Sequence, residues 1–194
     1  MGHVSIGTQF STNNPNLVNF DLSNHQISSC IATKFFETDE PVFVIICAAL
    51  SQIDRCLIEK DVSYKINVEG TIRLIQDLEQ FEAIPVFIST CAVYDGYQGY
   101  YNEESQHAPI CEYGRQKNNV EQFLEENRPD TFILRLDKIV GDDPNQNHMF
   151  SGWFQNIQKG QSIICIDQTF SPTFVKDLAK AVVLGCQLKL KGAY

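Results

Sequence analysis

Two runs of apolar residues constrain this chain more than anything else in it: Pro41–Ala49, PVFVIICAA, and Pro85–Thr90, PVFIST. A strand with one wet face alternates apolar and polar residues. Near-continuous runs rich in Val, Ile and Phe suit strands covered on both faces. Elsewhere the period changes. From Asp61 to Gln80, Ile66, Leu74, Ile75 and Leu78 recur at helical spacing, and over Tyr113–Asn127, Val120, Phe123 and Leu124 share one side. Thr131–Val140, TFILRLDKIV, reads as a further strand, and Val4–Gly7 and Leu17–Phe20 as two short ones. Strands alternating with helices predict an α/β fold, a doubly wound parallel sheet with crossover helices. Beyond Gly141 the pattern predicts a polar loop at Asp142–Asn147, a helix at Met149–Lys159, a short strand at Ser162–Ile166 and a helix at Phe174–Leu188. With no repeat or linker in view, residues 142–194 are expected to form a small lobe on the same body as residues 1–141.

Composition narrows the function. A net charge of −9 argues against nucleic acid or an anionic membrane as partner, since both select clustered Lys and Arg. No run approaches the ~18 apolar residues of a membrane span, and no basic-then-apolar start marks a secretory signal, so a cytoplasmic protein is expected. The seven cysteines (30, 47, 56, 91, 111, 165 and 186) form no Cys-x-x-Cys pair and are expected to be buried free thiols. The four histidines lack ligand spacing, so no metal site is expected.

In parallel sheets, ligands sit beyond the carboxyl ends of the strands. One run closes on Ala48-Ala49, small enough for a close approach to the backbone, and the other on the hydroxyls of Ser89-Thr90. The sharpest local signal is Tyr113-Gly114-Arg115-Gln116-Lys117 at a helix start, where a spacing of four places phenol and ammonium on one face. A nearby Lys⁺ favours phenolate and is expected to lower the Tyr113 pKa from ~10 toward neutrality, so that the phenol exchanges a proton with a carbonyl/hydroxyl pair. Tyr-x-x-x-Lys alone is weak. Its order after a strand ending Ala-Ala, a helix with Asn67 and a strand ending Ser-Thr is what makes it informative.

That order resembles the extended short-chain dehydrogenase/reductases, most closely the dTDP-4-dehydrorhamnose reductase branch. The likeness runs through VIICAALSQIDRC (44–56), KINVEGT (65–71), ISTCAVYDG (88–96), YNEES (101–105), YGRQK (113–117), LRLDKIVG (134–141) and DQTFSPTFVKDLAKAV (167–182). The resemblance implies a Rossmann-like core over 1–141 and part of a substrate lobe over 142–194. It implies reduction of a 4-keto-6-deoxy nucleotide sugar by NADP or NAD. Thr90, Tyr113 and Lys117 would be catalytic, with Tyr113 the proton donor and Lys117 tuning it and holding the nicotinamide ribose. Asp21 and Leu22 would lie near the adenine; Ala48, Ala49, Asn67, Ser89 and Arg135 would line the cofactor. Thr90, Tyr113, Trp153, Pro172 and Thr173 would meet the substrate, and a homodimer would be the assembly.

The sequence departs from that pattern at its start. A first strand and glycine-rich turn, part of a βαβ unit of ~30 residues, should receive the pyrophosphate. The only early glycines here are Gly2 and Gly7. Expectation therefore divides between a piece of a longer reductase, the favoured reading, and a truncated relative that has lost dinucleotide binding. In either case the sheet should keep an open, adhesive edge. Ile6-Gly7-Thr8-Gln9 offers no acid for ribose hydroxyls, which leans the cofactor toward NADP. The same fold also admits a nucleotide-sugar epimerase. Cys91-Ala92 after Thr90 disfavour a dehydratase, which places acids there. A non-catalytic binding module like the regulatory β subunit of methionine adenosyltransferase is the alternative of a different class, and a bare scaffold with an accidental Tyr-x-x-x-Lys the plainest.

Overall fold

Parallel strands joined by crossover helices organise the chain. The computed structural model describes residues 4–24, 26–31, 33–141, 149–162 and 169–194. The strands are β1 (Thr8–Gln9), β2 (Val18–Asn19), β3 (Phe43–Ile46), β4 (Ile84–Thr90), β5 (Phe132–Leu136), β6 (Ile139–Val140), β7 (Thr173–Phe174) and β8 (Gly192–Ala193). The helices are α1 (Ile27–Cys30), α2 (Ile53–Ile58), α3 (Lys60–Tyr64), α4 (Thr71–Glu79), α5 (Glu112–Asn127), α6 (Met149–Gln158) and α7 (Val175–Leu188), with a π-helical segment, Lys65–Gly70, joining α3 to α4. The main sheet has the order β3-β4-β5-β8; β1-β2 and β6-β7 form two small sheets of their own, and every pairing is parallel. This is the doubly wound α/β architecture expected.

The core lies on both faces of β4. On one face Phe87 and Ile133 pack with Ile75 and Leu78 of α4 and with Val120 and Leu124 of α5. On the other, Val86, Ile88, Phe132 and Leu134 meet Val182, Leu178 and Cys186 of α7. Each large side chain so buried contributes about 1.5–3 kcal/mol. Two glycines make the close approaches. A Cβ on Gly114 would stand 2.1 Å from the carbonyl oxygen of Ala92, and one on Gly185 would stand 2.2 Å from the Phe132 ring. Thus α5 rests directly on the turn after β4, and α7 directly on β5.

Several expected boundaries move. The strand expected at Val4–Gly7 begins instead at Thr8, with the Gly7 carbonyl accepting from Val18 N at 3.0 Å, while Val4 is 89% exposed. The run Pro41–Ala49 yields only the four residues of β3, which among the described residues pairs on one side alone, and Ile45 is 44% exposed. Thr131–Val140 breaks into β5 and β6, the second pairing with β7 outside the main sheet. The helix α2 lies where none was expected. The expected loop at 142–147 lies outside the described residues, as do residues 163–166 of the expected strand at Ser162–Ile166 and Cys165. Among the described thiols only Cys56 is buried, and Cys47 and Cys91 are exposed, so the expectation of buried cysteines fails for most of them.

Candidate active site

Because the strands run parallel, the carboxyl ends of β3, β4 and β5 share one edge of the sheet. Thr90 closes β4 and is 8% exposed; its hydroxyl oxygen accepts from Ala92 N at 3.2 Å, keeping its own proton available. Across the turn begins α5, where the Cys111 thiol accepts from Gly114 N at 3.4 Å. Tyr113 and Lys117 follow on successive turns, and the Gly114–Ala92 approach holds that part of α5 beside the end of β4. The sequence-derived trio Thr90, Tyr113 and Lys117 is thus gathered in one region.

The electrostatics correct one expectation. Burial, with the thiols of Cys56 and Cys111 adding to it, pushes the Tyr113 phenol up to about 12 rather than down. Lys117 does not offset this because its ammonium is engaged elsewhere: Nζ donates to the Ile88 carbonyl at 2.7 Å and stands 4.4 Å from the Phe87 ring centroid, against 5.9 Å from that of Tyr113. Burial in turn lowers Lys117 to about 8, while the Cys47 and Glu121 side chains draw it the other way. That influence places Cys47, and hence the loop leaving β3, near the ammonium.

Other expected contacts have different partners. Ser89 and Arg135 are opposite one another in the β4–β5 register and project to one face, where Glu121 of α5 receives both. Ser89 Oγ donates to Glu121 Oε1, and Arg135 Nε and Nη2 donate to Oε2 at 3.0 and 2.7 Å. Arg135 Nη1 continues to Tyr94 Oη at 2.9 Å and the Glu103 carbonyl at 3.1 Å, while His107 Nε2 lies 3.8 Å from Glu121. Arg135 therefore tethers the 94–107 loop to a wholly buried carboxylate, which Ser89 shares from β4. Glu121 is a partner that sequence reasoning missed, since a Glu in the polar half of a helix reads as solvent-facing.

Asn67 is likewise engaged. It is 2% exposed, with Oδ1 accepting from Leu50 N at 2.7 Å and Nδ2 donating to Leu50 O at 2.9 Å and to Gln116 Oε1 at 2.8 Å. Gln116 Nε2 passes the chain on to Ser63 Oγ at 2.8 Å. Asn67 so braces the 47–52 loop from behind. Asp21 accepts from Ser23 N, Ser23 Oγ and Asn24 Nδ2 within its own turn, and Leu22 is core at 6% exposure. Ala48 is exposed and Ala49 half-buried on the loop near Lys117. Trp153 packs edge-on against Phe150 at 5.5 Å on α6. Pro172 is exposed, and Thr173 N donates to the Lys138 carbonyl at 2.8 Å, which brings this segment to the link between β5 and β6.

The nicotinamide end of a dinucleotide suits these groups: small residues at 48–49, a buried ammonium whose bond is to a single carbonyl, and a phenol and a hydroxyl close to it. Among the described residues no group of three or more His, Cys, Asp or Glu could hold a metal ion, and no helix is long and apolar enough to cross a membrane.

The chain is similar to known proteins in sequence and fold. The family model described as the RmlD substrate binding domain matches residues 5–192. A dTDP-4-dehydrorhamnose reductase of Aggregatibacter actinomycetemcomitans is 28% identical over 166 residues, covering 84% of this chain and 54% of the relative. The methionine adenosyltransferase 2 subunit beta of Pongo abelii is 27% identical over 143 residues, covering 72% of this chain and 43% of that one. Among solved structures, a dTDP-4-dehydrorhamnose reductase of Bacillus anthracis in complex with NADP is 30% identical with a TM-score of 0.75, covering 90% of this chain and 61% of the other. A hypothetical dTDP-4-dehydrorhamnose reductase of Sulfolobus tokodaii superimposes with a TM-score of 0.81 at 27% identity, covering 98% and 66%. The chain spans about half the length of the first of these relatives.

Proposed function

From a chain that belongs to the RmlD substrate binding domain family, we propose an NAD(P)H-dependent reductase of a 4-keto-6-deoxy nucleotide sugar, related to the dTDP-4-dehydrorhamnose reductases. The observation that carries the reading is the gathering of Thr90, Tyr113 and Lys117 at the carboxyl end of β4, with α5 held there by the Gly114–Ala92 approach. Residues 1–141 form the dinucleotide side, and 142–194 contribute part of the substrate lobe. A bound reduced nicotinamide supplies the hydride, with NADP favoured because β1 ends in Gln9 without an acid.

The chain's own residues handle the proton. Thr90 donates a hydrogen bond to the keto oxygen and orients it. Tyr113, held protonated by burial, transfers its proton to that oxygen as negative charge develops there. Lys117, bonded to the Ile88 carbonyl with Nζ 5.9 Å from the Tyr113 ring centroid, leaves the resting phenol protonated. Once the proton has gone it stabilises the phenolate at that range, in surroundings dry enough to lower its own proton affinity. Ala48 and Ala49 leave room for the nicotinamide.

The alternative is a non-catalytic binding module of the kind named in the methionine adenosyltransferase relative. The observation favouring it is that Asp21, Asn67 and Arg135, three expected dinucleotide contacts, are hydrogen-bonded within the chain. One series of measurements separates the two. NADPH and NADH are titrated by cofactor fluorescence, then dTDP-4-dehydrorhamnose is added and loss of reduced nicotinamide followed. The reductase binds dinucleotide and turns over, and Tyr113→Phe lowers turnover by about 100-fold or more with dinucleotide affinity retained. A chain that binds neither dinucleotide is not a reductase by itself. Full activity in Tyr113→Phe removes the assigned acid.

A further inference from the structure

A cavity of roughly 460 Å³ opens beside the candidate catalytic groups, lined by Ser51, Gln52, Ile53, Asp54, Arg55 and Lys138. It lies between two links at the carboxyl end of the sheet, one leaving β3 and one leaving β5. Both adjoin the trio. Cys56, next to the lining residue Arg55, acts electrostatically on the Tyr113 phenol. Asp137, next to Lys138, acts on the Cys91 thiol that follows Thr90. The Lys138 carbonyl also receives Thr173 N, tying the cavity to the 172–173 segment.

The two cations in the lining are not equivalent. Arg55 is held by Glu59 one turn along its own helix, through Nε at 3.1 Å and Nη2 at 2.9 Å. Among the described residues the Lys138 ammonium makes no hydrogen bond or ion pair, and none joins it to Asp54 in the same lining. In a chain of net charge −9, a substrate bearing extra negative charge is repelled at long range and needs a local cation to hold it. An ammonium on a flexible stem suits either a carboxylate or a phosphate, since it acts as a point charge and asks for no planar two-point contact. The Ser51 hydroxyl and the Gln52 amide add neutral donors beside it.

We propose that Lys138 receives an anionic group of the substrate, a sugar carboxylate or a phosphate of the diphosphate, and so makes charge a determinant of which nucleotide sugar enters this cavity. The assignment rests on the nucleotide-sugar reading of the site and extends it to a substrate class.

Calorimetric titration of UDP-glucose and UDP-glucuronate, which differ at one carboxylate, tests it on the whole chain. Wild type, Lys138→Gln and Lys138→Arg are compared at low and high salt, with thermal unfolding as a check that the exposed substitution leaves the fold intact. If the carboxylate is the partner, wild type prefers UDP-glucuronate by about fivefold and Lys138→Gln removes the preference. If a phosphate is the partner, wild type shows no preference and Lys138→Gln weakens both ligands by about that factor. In either case Lys138→Arg retains the effect and high salt diminishes it. Wild-type affinities in Lys138→Gln overturn the assignment while leaving the nucleotide-sugar reading in place. Failure of wild type to bind either ligand overturns this assignment, while the reductase reading stands or falls by the dTDP-4-dehydrorhamnose assay.

Discussion

A buried ammonium in a folded chain sets up a linkage between stability and pH, and Lys117 is the residue here that does so most directly. It is 3% exposed, and desolvation lowers it to about 8 from 10.5. Between those values the unfolded chain binds more protons at this residue than the folded one, so stability rises with pH, and the penalty of the charged form is complete below about 8. Other groups act in the opposite sense at higher pH. Cys47, Cys56 and Cys91 are raised above 9.0 by burial, and Tyr113 above 10.0 to about 12; each of these makes the fold lose stability as the unfolded form ionises first. The Lys117 effect is therefore cleanest from pH 8 to 9. Over that unit the stability difference between wild type and Lys117→Met, from urea denaturation, shifts in favour of wild type by about 1 kcal/mol. A constant difference would show that the amine keeps its proton. At this scale the sequence brought out the candidate pair Tyr113 and Lys117, because a spacing of four shares one helix face and the pair follows two strand ends in order. It hid the partner of Ser89 and Arg135, because Glu121 becomes buried only once β4 and β5 are in register and α5 lies across them.

The helical stretch from α2 to α4 shows how an element carries a site it does not touch. The π-helical segment Lys65–Gly70 places Asn67 where both its polar atoms meet the Leu50 backbone, and Gln116 links it to α5. These three hydrogen bonds at about 1 kcal/mol each, with the Leu50 N–H left unpaired and the Leu50 carbonyl left to the Cys56 thiol, set the expected cost of Asn67→Ala at about 2–4 kcal/mol in urea denaturation. Amide exchange at Leu50 should quicken more than exchange in β4, since the 47–52 loop loses its brace while the sheet keeps its ladder. Equal quickening throughout would mean that Asn67 supports the core generally. From sequence, Asn67 stood out by its place in KINVEGT, but the π-helical turn did not, because an added residue in a helix leaves no compositional mark. Elements with uniform pattern, β4, α5 and α7, appeared at nearly their true limits. The apolar run around β3 overstated its strand because composition reports burial, whereas strand length depends on which neighbours pair.

At the scale of the whole molecule, two surface properties oppose one another. Apolar side chains stand exposed on several elements: Leu57 and Ile58 on α2, Phe154 and Ile157 on α6, Leu184 and Leu188 on α7. The strand β3 also has one side outside the main-sheet pairing and carries no charged residue to protect that edge. Against these stands a net charge of −9, which keeps copies apart while the field reaches beyond the surface. The reach shrinks from about 30 Å at 0.01 M salt to about 3 Å at 1 M, and apolar contact does not weaken in step. Light scattering across that range should therefore show the apparent mass rising with salt, opposite to an assembly held by ion pairs. Ile45→Lys, which adds a charge to the exposed centre of β3, should flatten the rise if that edge is where copies meet. An equal rise in the variant would move the contact to the helices, and a mass independent of salt would mean that the exposed apolar groups do not bring copies together.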